Sequence, residues 1–302
     1  MYDLISIGNV SIDVYYKGKS LTHNGERFQL AIGGKYFCEF FSIEVGGGGA
    51  NVAIGLANFG YNVALLSRIC DNFFTKIVLD RLKEKKVSTE YCAIEKNYFN
   101  ISTVLLSETG EKTIINYRTQ ENGFLNNPEH IKQLMNTKAV YMGNLADVEL
   151  SIREKALKLL KDKGIMTIVN LGVKDCRQPT EEIIKLLENV EILIINAHEF
   201  ADVVKQLYKD IDFKKNLIQK YPFLKNKIVI LTDGEKGSYG YTNEKVYFQE
   251  PVKVNKIVDA TGAGDGYTAG FIAEYLKSKD ISKAMANGAQ YAVKILTKIG
   301  AN

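Results

Sequence analysis

Tryptophan is absent from this 302-residue chain, and proline (four), cysteine (four) and histidine (three) are scarce. Each shortage closes off a class of function. Cys38, Cys70, Cys92 and Cys176 lie far apart with no Cys-x-x-Cys pair, so neither a zinc site nor a disulfide framework is legible. His23, His130 and His198 are isolated, which argues against a histidine-built metal centre. Only six of the 39 basic residues are arginine, and the lysines are spread along the chain. A nucleic-acid footprint would cluster them or interleave aromatic platforms. No apolar run approaches the roughly 20 residues that a membrane-spanning helix needs, and no cationic, apolar leader precedes the first strand-like segment. The expectation is a soluble cytoplasmic protein with neither nucleic acid nor membrane as partner. The pattern Gly-x-x-x-x-Gly-Lys-Ser/Thr is also missing, so a nucleotide would have to be held without a P-loop.

What is present is an alternation. Short apolar runs at 3–8, 63–69, 139–142, 165–170, 191–195 and 227–232 predict strands. Amphipathic stretches at 50–59, 73–86, 150–163, 180–189, 198–208, 266–277 and 282–298 predict helices. Strand–helix alternation implies an α/β fold, a mostly parallel sheet with helices on both faces. Runs such as Ile192-Leu193-Ile194-Ile195 are apolar without alternation, as expected of strands buried on both sides. Two regions break the rhythm. Residues 11–44 carry aromatic and β-branched residues between Gly-containing turns, and 98–118 reads as a hairpin turning at Glu108-Thr109-Gly110-Glu111. These strands predict a small second sheet beside the main one. With no linker or repeat in view, the whole of 1–302 is expected to be a single domain.

The most informative stretch is Val258-Asp259-Ala260-Thr261-Gly262-Ala263-Gly264-Asp265-Gly266-Tyr267. The run Val252 to Val258 predicts a strand. A small-residue turn follows, and then a helix with Tyr267, Phe271, Ile272, Tyr275 and Leu276 on one face. Unpaired N–H groups at a helix start attract anions, and glycine lets a ligand approach the backbone closely. A carboxylate beside such a hole opposes the anion it would face, unless it takes a proton from a hydroxyl that attacks phosphorus. The bland alternative is a Gly-rich junction with Asp265 as a cap. A second glycine run, Gly46-Gly47-Gly48-Gly49-Ala50-Asn51, leads into another helix and offers the same close approach.

These residues resemble the signatures of the ribokinase-like carbohydrate kinases of the PfkB type. The pattern Asp-Thr-x-Gly-Ala-Gly-Asp is matched by Asp259 to Asp265, with Ala260 where the family usually has Thr; the Gly-Gly loop with its Asn is matched by Gly46, Gly47 and Asn51. The resemblance implies a three-layer α/β/α fold whose small β-sheet forms a lid, with strands inserted at about 11–44 and 98–118. It implies an ATP-dependent kinase with Asp265 as catalytic base and the N–H groups of Gly262, Ala263 and Gly264 as the hole for the transferred phosphoryl group. Asp13, Gly46, Gly47 and Asn51 would hold sugar hydroxyls, with Arg118 reaching a hydroxyl or carboxylate. Asn170, Thr232, Gly234, Gly237, Thr261 and Asn287 would line the nucleotide. Asn196 and Glu199 would organise Mg²⁺ through water, although Asn-x-x-Glu is equally a helix capping box. The family also admits a monovalent cation, K⁺, next to Asp259, and a homodimer through the lid.

The acceptor is open: ribose or fructose, a keto-deoxy-sugar acid, and a nucleoside such as adenosine all fit. Lid aromatics Phe28, Phe37, Phe41 and Tyr117 are expected to choose among them. Two readings outside the kinases stand beside these. A catalytically silent sugar or nucleotide sensor could use the same fold. A dinucleotide-binding oxidoreductase could use Gly264-x-Gly266-x-x-Ala269, but its ribose-binding acid should follow about 20 positions on, and no Asp or Glu occurs after Asp280.

Overall fold

Ile192 and Ile194 point to one side of the central sheet while Leu193 and Ile195 point to the other, and all four are buried. That alternation of direction inside a continuous apolar run is the plan of the whole molecule. The computed structural model describes residues 1–119, 125, 128–145 and 147–302. Its main sheet has nine strands in the order Val246–Gln249, Ser238–Tyr241, Ile228–Thr232, Ile192–Asn196, Met166–Val169, Thr137–Met142, Tyr2–Ile7, Val63–Leu66 and Val87–Ser88. The last seven run parallel; the hairpin at the first edge is antiparallel.

Each face is covered by helices. On one, Ala156, Leu157 and Leu160 of Leu150–Asp162 pack with Ile183 and Leu186 of Thr180–Leu187 and Phe200 of Ala197–Val203. On the other, Gly48–Asn58, Ala263–Ser278 and Ile281–Leu296 bury Val52, Ile54, Phe271, Ile272 and Met285. This is the expected three-layer α/β/α arrangement. Among the described residues no helix is long and apolar enough to cross a membrane.

Three expectations need correction. The run 63–69 is split: Val63–Leu66 stays in the main sheet, while Arg68–Cys70 turns away to pair with Ala93–Glu95. Arg68, buried with its guanidinium 4.4 Å from the Tyr98 ring and 3.6 Å from Glu95, is what a central strand could not accommodate. The helix expected over 198–208 ends at Val203, because Lys205 takes a left-handed conformation (φ 54°) and Gln206 N–H closes back on the Ala201 carbonyl. Residues 252–258 form no strand. The sheet edge is already taken by Val246–Gln249, and Val258 N–H bonds to the Leu296 carbonyl instead. The edge hairpin itself escaped the sequence reading, though Tyr239/Tyr241 and Val246/Phe248 alternate around a Thr-Asn-Glu-Lys turn.

The second sheet is separate and four-stranded, in the order Lys112–Arg118, Asn100–Leu106, Ser11–Lys17, Phe40–Gly46. Its register decides which residues matter. Tyr15 lies opposite Val104 and Ser42, and Val104 opposite Ile114, so period-2 alternation puts Asp13, Tyr15, Ser102, Lys112 and Arg118 on one face. Val14, Tyr16, Phe41, Ile43, Ile115 and Tyr117 share the other face.

Candidate active site

The carboxyl ends of four adjacent parallel strands are tied by a row of hydrogen bonds. Asn9 Nδ2 donates to the Asn144 carbonyl at 2.9 Å, Gly143 N–H to Ile7 at 2.8 Å, Asn170 N–H to Met142 at 2.9 Å, and Asn170 Nδ2 to Ile194 at 2.8 Å. Asn196 stands in register with Thr232. A parallel sheet opens its ligand cleft at this edge, so the first strand, Asn170, Asn196 and Thr232 border one groove. Beyond Thr232 the chain makes a single tight turn, Gly234–Lys236, closed by Asp233 N–H on the Gly237 carbonyl at 2.8 Å.

Two glycine loops converge on the groove. Gly46 ends a lid strand opposite Ser11, and a Cβ there would meet Asp13 Oδ2 at 2.0 Å. Only a residue without a side chain lets the Asp13 carboxylate occupy that place. Asp13 is buried, accepts from Ser11 Oγ at 2.9 Å, and is raised above the ordinary aspartate range chiefly by burial. Gly47 (φ 93°) caps the helix Gly48–Asn58, whose first turn presents Asn51. The other loop ends at Gly262, left-handed at φ 75°, which caps the helix Ala263–Ser278. Its carbonyl takes the Gly266 N–H at 2.8 Å, so the N–H groups of Gly264 and Asp265 precede the first helical acceptor. Gly264 has open space where a side chain would be.

The loops are joined by one bond: Asn51 Nδ2 donates to Asp265 Oδ2 at 2.8 Å. Asn51 Oδ1 in turn accepts from Asn302 Nδ2 at 3.1 Å. Asp265 is half-buried, and the dense protein around it strips its hydration. That burial raises its pKa, the Asn51 bond lowers it, and the nearby Asp13 charge raises it further; the net shift is upward. Tyr141, fully enclosed in the floor, feels the charges of both Asp265 and Glu199, which places both carboxylates near one phenol.

Glu199 and Asn196 do form a capping box: Glu199 N–H donates to Asn196 Oδ1 at 2.7 Å and Asn196 N–H to Glu199 Oε2 at 3.2 Å. Burial nevertheless drives Glu199 up to about 7, against the pull of the Asn196 backbone bond. An acid held that high by desolvation is poised to ionise when a cation arrives.

Asp259 behaves in the opposite way. Its side chain is completely buried, yet the hydrogen bonds from Thr261 and the Lys112 ammonium outweigh that burial and hold it below the ordinary range. Arg118, on the same lid face as Asp13, sends Nη2 to Asn9 Oδ1 at 2.6 Å and pairs through Nε with Asp147 at 2.5 Å.

Not every expected residue joins this group. Asn287 donates to the Gly270 carbonyl at 2.7 Å and borders a different cleft with Asp3, Phe59 and Gly60. Its amide is spent on a helix–helix contact. Phe41 and Tyr117 belong to the lid face turned away from Asp13, and Phe37 is 82% exposed, so none of the three contacts the groove. Phe28 lies opposite His23 in a two-stranded ribbon, His23–Asn24 with Arg27–Phe28, their rings 6.4 Å apart and tilted by 42°. Lys112, Tyr15, Asn9 and Tyr141 were missed. Their partners are distant in sequence, and only Lys112 and Tyr15 carried a hint, the alternation of their strands.

A desolvated carboxylate beside the amides of a helix start, above the carboxyl edge of a parallel sheet and under a β-lid, is the setting of an ATP-dependent phosphotransferase with an alcohol acceptor. The pfkB family carbohydrate kinase pattern matches residues 1–302, and the chain belongs to that family. It is similar to the 5-dehydro-2-deoxygluconokinase of Clostridium perfringens, 25% identical over 312 residues that cover 98% of this chain and 87% of the relative. It is also similar to the nucleoside kinase of Methanocaldococcus jannaschii, 26% identical over 299 residues (97% and 89% covered). Among solved structures, the ribokinase of Arabidopsis thaliana complexed with ribose and ATP superposes with a TM-score of 0.81 at 21% identity, covering 99% of this chain and 94% of that one.

Proposed function

We propose that the chain folds as one kinase domain that moves the γ-phosphoryl group of ATP to a primary hydroxyl of a small neutral carbohydrate, ribose- or fructose-like. The observation that carries this reading is the Asn51–Asp265 bond, which fixes a desolvated carboxylate between two glycine loops. Asp13, Gly46, Gly47 and Asn51 hold the sugar hydroxyls. Asp265 takes the proton of the reacting hydroxyl as its oxygen bonds to phosphorus and the bond to the ADP oxygen breaks. The N–H groups of Gly262 to Gly264 stabilise the charge on the migrating group. Asn170, Asn196, Thr232, Gly234, Gly237 and Thr261 line the ATP.

Mg²⁺ suits the donors on the nucleotide side. Among the described residues no three acids or histidines gather there, and Mg²⁺ keeps most of its waters, so the lone Glu199 carboxylate and the Asn196 amide are the contacts it would use. When bound, the ion neutralises phosphate charge. The four free cysteines accord with work in a reducing cytoplasm.

The relatives' names include a dehydro-deoxygluconokinase and a nucleoside kinase, so family membership leaves the acceptor open. Arg118 supports a neutral sugar, because a substrate carboxylate would have to displace Asp147 from its guanidinium. A panel of aldoses, ketoses, keto sugar acids and nucleosides, read by ADP release, tests this. The highest kcat/KM is expected for a neutral aldose or ketose. A sugar acid or nucleoside at the top would move the assignment to that class, and no ADP with any acceptor would favour a silent sensor.

The outward lid face supports a homodimer: Phe41, Ile115 and Tyr117 are each more than half exposed there. Sedimentation is expected to show a dimer that Ile115→Lys dissociates. A wild-type monomer at assay concentrations would rule the dimer out.

A further inference from the structure

Asp259 is the most heavily bonded carboxylate near the groove. Its Oδ1 accepts from Lys112 Nζ at 3.0 Å, Thr261 N–H at 2.9 Å and Thr261 Oγ1 at 2.7 Å. Its Oδ2 accepts from Tyr15 O–H at 3.1 Å and Gly300 N–H at 3.3 Å. Lys112 Nζ also donates to Thr261 Oγ1 at 2.6 Å, which is consistent because that hydroxyl gives its own proton to Asp259. The donors come from the lid hairpin, the neighbouring lid strand, the anion-hole turn and the C-terminal segment.

A buried carboxylate needs a compensating charge, and here the charge is covalently attached. Lys112 opens the return strand of the hairpin. The preceding turn is pinned by Ser107 N–H on the Glu111 carbonyl at 2.9 Å and Glu111 N–H on Ser107 Oγ at 3.1 Å. Strand alternation then directs Lys112 to the face it shares with Tyr15. Tyr15 is itself fully buried, in a small cluster with Val104 and Leu106, and burial together with the Asp259 and Asp13 charges keeps its phenol protonated, so toward Asp259 it can only donate. A potassium ion at Asp259 would need oxygen lone pairs turned toward it. The two carboxylate oxygens already receive N–H and O–H donors, one of them an ammonium, so K⁺ does not fit this donor set.

We infer that Lys112 serves Asp259 as a built-in monovalent cation that locks the anion-hole turn to the lid, so that phosphoryl transfer needs no added K⁺. Lys112 is thus a positioning residue. The turn it holds, Asp259 to Thr261, runs directly into Gly262, whose left-handed conformation aims the amides that follow.

The inference rests on the kinase reading, and the experiment separates the two. ADP release is measured with the best acceptor in tetramethylammonium chloride, whose cation is too large to approach Asp259, and in KCl or NH₄Cl of equal ionic strength. The wild type is expected to turn over at the same rate in all three. Lys112→Met is expected to lose roughly 10- to 10²-fold in kcat in tetramethylammonium, the scale of a misplaced reacting group. Its KM for ATP should change little, and ammonium should restore a saturable part of the rate. Lys112→Arg, which keeps a tethered charge, should remain independent of the salt and stands in if Lys112→Met does not fold. A wild type accelerated severalfold by KCl, or a folded Lys112→Met with wild-type turnover, overturns the inference. No ADP release from the wild type in any salt would instead undo the kinase reading.

Discussion

Asp265→Asn is expected to lower kcat by about 10²–10⁴-fold, the range a positioned general base supplies, while sugar and ATP still bind. The substitution is nearly isosteric, and its amide oxygen can still accept the Asn51 Nδ2 proton that now reaches Asp265 Oδ2. The loops should therefore stay in place while the proton acceptor is lost. The pH profile gives an independent check. Asp265 is active only when ionised, and burial together with the Asp13 charge raises its pKa. Activity should therefore fall as the pH drops through a value above the ordinary aspartate range; Asp265→Asn should lose that component and keep the one set by Glu199, which burial drives up to about 7. Asp259, held low by Thr261 and Lys112, stays ionised through the same window and does not contribute. Steady-state kinetics and nucleotide titration of the variant decide the matter: wild-type turnover removes Asp265 from the chemistry.

Gly262→Ala is expected to cost about 10²–10³-fold in kcat, the effect of removing one donor from an anion hole. Two pressures act at that position. Gly262 is left-handed at φ 75°, a region in which a side chain costs about 1–2 kcal/mol. An added Cβ would also meet Ala301 Cβ at 2.2 Å. The turn can relieve both only by rotating, which swings the N–H groups of Ala263 and Gly264 away from the phosphoryl position. The helix beyond, anchored by Phe271 and Ile272, keeps its packing. The variant should therefore show a wild-type circular-dichroism spectrum and an unchanged KM for sugar. A KM defect with kcat intact would mean that the turn binds substrate rather than stabilising transferred charge.

The parts of the molecule that were legible in the sequence are those whose physics is local. Ile192 to Ile195 announced a strand buried on both faces, and Gly262 to Gly264 before Asp265 announced a helix start built for close approach. Lys112 was not legible, because its partner Asp259 lies 147 positions away and only strand register aims it there. Register also explains why Phe41 and Tyr117 were misassigned: aromatic character says nothing about which face a lid strand shows. The stretch 252–258 had strand composition but no free edge to join. Asn287 was misplaced because a residue type shared with a family does not reveal that its amide is already engaged by Gly270.

The central claim is that main-chain amides at the start of the helix Ala263–Ser278 hold the migrating phosphoryl group while Asp265 receives the acceptor's proton. Its most direct test is a crystal structure of the enzyme trapped with ADP, Mg²⁺, aluminium fluoride and the best sugar from the panel. The account predicts the fluoroaluminate within hydrogen-bonding distance of N–H groups of the Gly262 to Gly264 turn, with the sugar's primary hydroxyl between it and the Asp265 carboxylate. A fluoroaluminate bound elsewhere along the groove, with Asp265 still facing only Asn51, would contradict it.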